Sequence, residues 1–315
     1  MRNFKFFTLL FIDFENRYLS KNGISGGFDE QIQIFINCCE NLGKSLIYFA
    51  NIELTVLTNN KKYIEKLSPK LNCIEIEFDF KVPKDIDYFS AHHKIDVFRY
   101  FSSLNDDDYF FLIDCDMLSI NKMPLNLINC INNNLPVYFD VTEQEYPAFS
   151  REIIIKDKEI LMTNEKSTGL WAGGEFIGGG AHFFKLLSDE IMIVQEKYFN
   201  SYKQLHHRSD ETLTSVAIEK IMRTTCVVNA GNFGGVGRYH SNKTLHVQKL
   251  WGSHEDNFLL HLPSDKTYIA SLDFIDDRII NKYKYYLNIN VRLNSIKKMI
   301  KNLIKNIVAA FYCNS

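Results

Sequence analysis

The sequence predicts an α/β fold, a sheet flanked by helices and followed by a basic amphipathic helix, on three observations. Strand-like apolar runs alternate with helical periods from the first residues onward. The apolar run Tyr109 to Ile113 ends in Asp114 and Asp116, as a buried parallel strand does when it delivers ligand-binding groups at its C-terminal edge. Beyond Asp277 come eight Lys or Arg and no Asp or Glu, set on an apolar repeat of helical spacing.

Composition sets the frame for these elements. At 315 residues and 46% hydrophobic content the chain can bury a large core, and disorder is excluded. A net charge of −2 gives no global argument for nucleic acid as a partner. Seven cysteines at irregular positions, none in Cys-x-x-Cys spacing, read as reduced thiols rather than a disulfide framework or a zinc site. No uncharged apolar window is long enough to span a bilayer, and the N-terminal run ending at Asp13 reads as a first strand rather than a signal peptide.

In chain order, Phe4 to Phe14 is the first strand, and Arg17 to Gly27 is a polar loop placed to cover a ligand. Phe28 to Tyr48 carries Ile32, Phe35, Ile36, Cys39 and Leu42 at helical spacing. Glu53 to Thr58, Lys61 to Leu67 and Cys73 to Phe80 give strand, helix and strand. Ser90 is expected to cap a helix through Leu104, which leads directly into the Asp114 strand. Leu125 to Asn134 is a helix and Val137 to Val141 a strand. Glu152 to Lys156 and Glu159 to Thr163 read as two short strand-like runs in an inserted hairpin or loop. The run Gly173-Gly-Glu-Phe-Ile-Gly-Gly-Gly180 reads as a tightly bent loop around Glu175, before a helix from Ala181 to about Tyr198. Asp210 and Glu211 open a further helix, a position that capping and the helix dipole favour for acids in any case. Cys226 to Val228 is a strand, and Gly231 to Gly237 is a second glycine-rich loop.

Asp114 and Asp116 form the strongest chemical signal. Two carboxylates this close repel unless a cation neutralises them, and a divalent ion carrying a phosphate-bearing ligand does so directly. His261 and Lys266 follow a late apolar run, where an imidazole and an ammonium can complete a site for a metal and a diphosphate. The basic repeat after Asp277, with Leu293, Ile296, Met299, Ile300, Leu303 and Ile304 on one face, suits an anionic membrane surface.

Three ordered blocks make the sequence resemble the GT-A glycosyltransferases, most of all the retaining family 6 enzymes that include the blood group A and B transferases. Leu112-Ile-Asp-Cys-Asp-Met117 is similar to that family's Asp-Val-Asp-Met strand end. Gly173-Gly-Glu-Phe-Ile-Gly-Gly179 is similar to its Gly-Gly-Phe-Phe-Gly-Gly. Asp210-Glu211-Thr-Leu is similar to its His-Asp-Glu-Ser-His-Leu, with Ser209 in the place of the histidine. Glu175 replaces an aromatic residue of the family pattern, and the late His261 and Lys266 loosely resemble family 8.

The resemblance implies a GT-A, Rossmann-like mixed sheet over residues 1–275; the basic tail, 276–315, is read from its own residues and has no counterpart in the resemblance. It further implies transfer of a hexose or N-acetylhexosamine, with retention, from a nucleotide-sugar such as a UDP-sugar to a glycan or lipid-linked glycan. Asp114 and Asp116, with His261, would hold Mn²⁺ or Mg²⁺. Lys94, Gly173, Gly174, Glu175 and Lys266 would line the donor site, Arg99 would pair with an acid of the motif, and Trp171 would offer a stacking platform. Asp210 would bind sugar hydroxyls, and Glu211 would lie beneath the anomeric carbon as nucleophile or as charge support. Composition and tail together suggest a bacterial enzyme of polysaccharide synthesis, cytoplasmic and peripheral on the inner face of the membrane. The rival readings are a silent carbohydrate-binding relative and a sugar phosphatase of the haloacid dehalogenase type. The second is disfavoured because Leu118 stands where that family has Thr and because the motif follows the fourth strand.

Overall fold

A computed structural model describes residues 2–15, 27–144, 150–163, 165–241 and 247–289. All of the expected loop Arg17 to Gly27 except Gly27, and the basic repeat from Asn290 onward, lie outside the described residues. The chain divides into two compact units, Met1–Phe274 and Ile275–Ser315. In the second, residues 279–289 are helical.

The first unit opens with β1 (Phe4–Leu10), α1 (Phe28–Ala50), β2 (Leu54–Thr58), α2 (Lys61–Leu67) and β3 (Asn72–Glu75). Then come α3 (Lys94–Ser102), β4 (Tyr109–Ile113), β5 (Met117–Ser119), α4 (Leu125–Asn132), β6 (Val137–Asp140), α5 (Arg151–Leu161), β7 (Ala172–Gly179) and α6 (Ala181–Ser201). The unit continues with α7 (Asp210–Ile221), β8 (Val228–Asn229), β9 (Val236–Arg238), β10 (Leu259–His261) and α8 (Lys266–Ala270). A seven-stranded sheet has the order β3-β2-β1-β4-β7-β6-β8, and a three-stranded sheet the order β5-β10-β9. β3, β2, β1 and β4 run parallel, whereas β7 is antiparallel to both neighbours. The expected mixed sheet flanked by helices is therefore what the chain forms.

β4 is the sheet's buried centre: all five of its residues are covered, because helices close both faces of a largely parallel sheet. Phe111 stacks on Phe6 at 4.3 Å between ring centroids, and Phe110 stacks on Phe101 at 5.3 Å. These rings need space on the adjoining strand. A Cβ at Gly178 would stand 2.6 Å from the Phe111 ring, so the glycine run belongs to a strand that packs under aromatic residues. That overturns the expected loop at Gly173 to Gly180.

Other differences have physical reasons. The two strand-like runs at 152–163 are the single helix α5, whose buried face is Ile154, Asp157, Lys158 and Leu161. That spacing is helical, but its two middle members, Asp157 and Lys158, are charged. Lys158 is buried together with Glu219, whereas the buried carboxylate of Asp157 meets the half-exposed ring of His206. Ser90 does not cap a helix, since Phe89–His93 is a 3-10 turn and α3 begins only at Lys94. β3 ends at Glu75, short of the expected Phe80.

Candidate active site

The chain leaves the large sheet at Ile113 and enters the small one at Met117, so Asp114 and Asp116 occupy the seam between them. The strand thus ends before the acids, and the turn itself presents them. Backbone bonds pin the turn from both sides: Asp114 N–H donates to Glu175 O at 3.1 Å, and Leu262 N–H donates to Asp116 O at 3.0 Å. Register does the rest. Antiparallel pairing of β4 with β7 sets Glu175 beside Asp114, and the small sheet aligns Met117, His261 and Arg238.

Two motifs almost a hundred residues apart then meet through one ammonium. Lys94 Nζ lies 2.7 Å from Asp114 Oδ1 and 3.4 Å from Asp210 Oδ2, and donates to Gly174 O at 2.8 Å. Lys266 Nζ lies 2.6 Å from Asp116 Oδ2. His261 spans Asp116 through Nε2 at 3.2 Å and Glu175 through Nδ1 at 3.1 Å. Arg238 grips Glu175 with two bonds of 2.5 Å and reaches Glu211 Oε1 at 3.0 Å.

Glu211 is held on every side. Its Oε1 also accepts from Gly174 N–H at 3.1 Å, and its Oε2 accepts from Trp171 Nε1 at 3.1 Å and has His207 Nε2 3.4 Å away. Ser209 caps α7 by accepting from Glu211 N–H, which fixes the residue's entry into the helix. Asp210 Oδ2 is buried and makes no hydrogen bond among the described residues, its nearest cation being Lys94. A Cβ at Gly174 would lie 2.9 Å from that oxygen and 3.0 Å from Lys94 Nζ, so only glycine lets α7 and α3 bring their charges together across β7.

Electrostatics follow from this crowding. Burial works against the charge on His261, but Asp116 and Glu175 outweigh it and push the imidazole up to about 9. Burial raises the Asp210 carboxyl to about 6, with Lys94 pulling the other way and Glu211 and Asp114 adding to the rise. Burial would also raise Asp116 and Glu211, yet cations win: Lys266 and His261 hold the first well below its usual range, and Arg238 and His207 lower the second.

The donor atoms of Asp114, Asp116 and His261 all lie within 4.8 Å of one another. Two hard carboxylate oxygens and an imidazole suit Mn²⁺ or Mg²⁺ in chemistry and spacing. The cluster sets five carboxylates (Asp114, Asp116, Glu175, Asp210, Glu211) against Lys94, Lys266, Arg238 and a protonated His261, which leaves room for added positive charge.

Several expected residues have other surroundings. Glu175 has no exposed surface and both its oxygens are taken, so it does not face a sugar. Trp171 is 5% exposed and holds Glu211 by its indole N–H, which replaces the expected stacking platform. Arg99 is on the surface near Asp96 and Met192, away from the acidic turn. Arg238 escaped the sequence reading altogether. The available signal was Glu175 itself, an acid in an apolar glycine run that has to find a buried cation.

No family model matches the sequence, and no curated protein matches it. Among solved structures the chain is similar to WbbM, a bifunctional glycosyltransferase in apo form, at 12% identity over 89% of this chain and a TM-score of 0.48. It spans about half of that protein, 51% of its length. It is also similar to the galactosyltransferase LgtC in complex with donor and acceptor sugar analogues, at 11% identity over 87% of this chain and 98% of that one, TM-score 0.45. A third is mouse xyloside xylosyltransferase 1 in apo form, at 9% identity over 82% of this chain and 97% of that one, TM-score 0.47.

Proposed function

We propose that this chain is a metal-dependent glycosyltransferase of the GT-A type, moving a hexose or N-acetylhexosamine from a UDP-sugar to a glycan or lipid-linked glycan with retention. The observation that carries the reading is the meeting of the Asp114–Asp116 turn with Asp210 and Glu211 around Lys94. Neither motif is specific alone, but one acidic, cation-laced cluster made from both is what a donor diphosphate and its sugar require.

Asp114, Asp116 and His261 would hold Mn²⁺ or Mg²⁺. Bound there, the ion offsets the charge that develops on the departing nucleoside diphosphate. Lys94 and Lys266 supply fixed positive charge beside the same acids. Asp210 Oδ2, an acceptor short of donors, is suited to a sugar hydroxyl. Glu211 already accepts hydrogen bonds at both oxygens, which blunts it as a nucleophile and favours electrostatic support of an oxocarbenium-like state. The basic tail after 276 would rest on an anionic membrane surface, with the enzyme on the cytoplasmic face. No helix among the described residues is long and apolar enough to cross a membrane.

A second reading has its own observation. Lys94 and Lys266 stand 2.7 and 2.6 Å from the two acids, so the ammonium groups alone could neutralise the turn and bind donor without metal. Titration calorimetry with UDP, with and without Mn²⁺, followed by a donor-hydrolysis assay with a panel of UDP-sugars, separates the cases. Metal-stimulated hydrolysis supports the proposal, and hydrolysis indifferent to a chelator supports the second reading. Binding without turnover leaves a silent carbohydrate-binding relative, and release of phosphate from a sugar phosphate favours the phosphatase.

A further inference from the structure

Glu175 is an unusual residue to find at zero exposure between two glycines and a phenylalanine. A carboxylate is costly to bury unless its oxygens are fully engaged, and here they are. Oε1 accepts from His261 Nδ1 at 3.1 Å and from Arg238 Nε at 2.5 Å, and Oε2 accepts from Arg238 Nη2 at 2.5 Å. The same Nη2 continues to Glu211 Oε1 at 3.0 Å. Gly173 leaves the space: a Cβ there would stand 2.9 Å from Arg238 Nη2.

We propose that Glu175 is a positioning residue shared by both ends of the site, setting His261 toward the metal position through one contact and Arg238 against Glu211 through the other. This rests on the metal-dependent reading above. With Nδ1–H directed at Glu175, the nitrogen that faces Asp116 is Nε2, at 3.2 Å, and that nitrogen is the one available to a cation. A carboxylate behind a histidine fixes the ring's tautomer and angle and raises its strength as a ligand. On the other side, the paired bonds orient the guanidinium plane, so one Arg238 nitrogen meets Glu211 without drawing that carboxylate out of place. One buried acid thus ties the group that would hold the metal to the group that would face the anomeric carbon. The family pattern that the sequence resembles has an aromatic residue here, so the device belongs to this chain's own residues.

The test is Glu175→Gln in the full chain, with Mn²⁺ affinity measured calorimetrically in the presence of UDP and checked by the Mn²⁺ electron paramagnetic resonance signal. Loss of the carboxylate is expected to weaken Mn²⁺ binding about 10- to 100-fold. In a His261→Gln background the same change should weaken Mn²⁺ no further, while donor hydrolysis still falls through Arg238 and Glu211. A merely structural role would lower the melting temperature and leave the Mn²⁺ affinity of the folded protein unmoved, and that result overturns the proposal. An equal loss in both backgrounds also overturns it, because Glu175 would then not act through His261. Should Glu175→Gln fail to fold, Glu175→Gln with Arg238→Gln removes the pair together and carries the same affinity measurement. Wild-type protein that binds no Mn²⁺ with UDP overturns the metal reading itself, an outcome distinct from an unaffected variant.

Discussion

The Nζ of Lys94 stands 2.7 Å from Oδ1 of Asp114, at the point where the first residue of α3 meets the turn leaving β4. The same ammonium is 3.4 Å from Asp210, so a single side chain joins three separate segments. Lys94→Met keeps the length of the chain and removes the charge. We expect kcat/KM for donor hydrolysis to fall about 10²- to 10³-fold, as when one preorganised electrostatic group is lost from an active site. Steady-state kinetics with a UDP-sugar checks this.

The metal position predicts a ligand-linked gain in stability. Mn²⁺ and UDP at one hundred times their joint Kd should stabilise the folded protein by about 2.7 kcal/mol, read as a rise in melting temperature. Asp116→Asn should abolish that rise and the metal stimulation of turnover. An unaltered rise in the variant would remove Asp116 from the metal's ligands.

Asp210 makes stability depend on pH. Its folded carboxyl titrates at about 6 against an ordinary 3.8, so between those values the folded protein holds a proton that the unfolded chain has lost. Stability therefore falls as pH rises through that window, by about 3 kcal/mol in all, and stays lower above it. Asp210→Asn should be more stable than wild type at pH 7, with the advantage gone near pH 4. Urea denaturation at the two pH values in the presence of a chelator measures the difference, and a pH-independent advantage would contradict it.

Away from the site, Lys158 is buried against Glu219 and donates to Leu170 O at 2.6 Å and Ser215 O at 3.3 Å. Glu219 in turn accepts from Thr168 N–H and Ser167 Oγ, fixing the segment that leads into β7. Lys158→Met alone should cost about 3–5 kcal/mol because it strands a buried carboxylate. Replacing Glu219 by Leu in the same protein should return most of that loss. Chemical denaturation of the single and double variants decides.

Much of this molecule could be read before its structure. α2 at Lys61–Leu67 and α7 opening at Asp210 matched because each carries a local signal: Asn60 caps the first and Ser209 the second. Asp114, Asp116, Lys94, His261 and Lys266 were legible as chemistry on strand and helix ends, and the fold brings them together. What failed depended on partners distant in sequence. The helix α5 was missed because two members of its buried face, Asp157 and Lys158, are charged and their partners, His206 and Glu219, lie 49 and 61 residues away. Glycines 173–180 looked like a loop because the rings they accommodate, Phe111 among them, belong to another strand. Arg238 was hidden in a short strand of otherwise small and apolar residues, with only its acids to announce it.

The bare backbone at Gly174 has a consequence for how this protein tolerates change. A methyl group there would enter the space where Asp210, Lys94 and Glu211 approach, at 2.9, 3.0 and 3.2 Å. Gly174→Ala should therefore silence turnover while leaving every chemically active group intact. A mutational scan would rank this position with the acids, although its contribution is an absence of atoms.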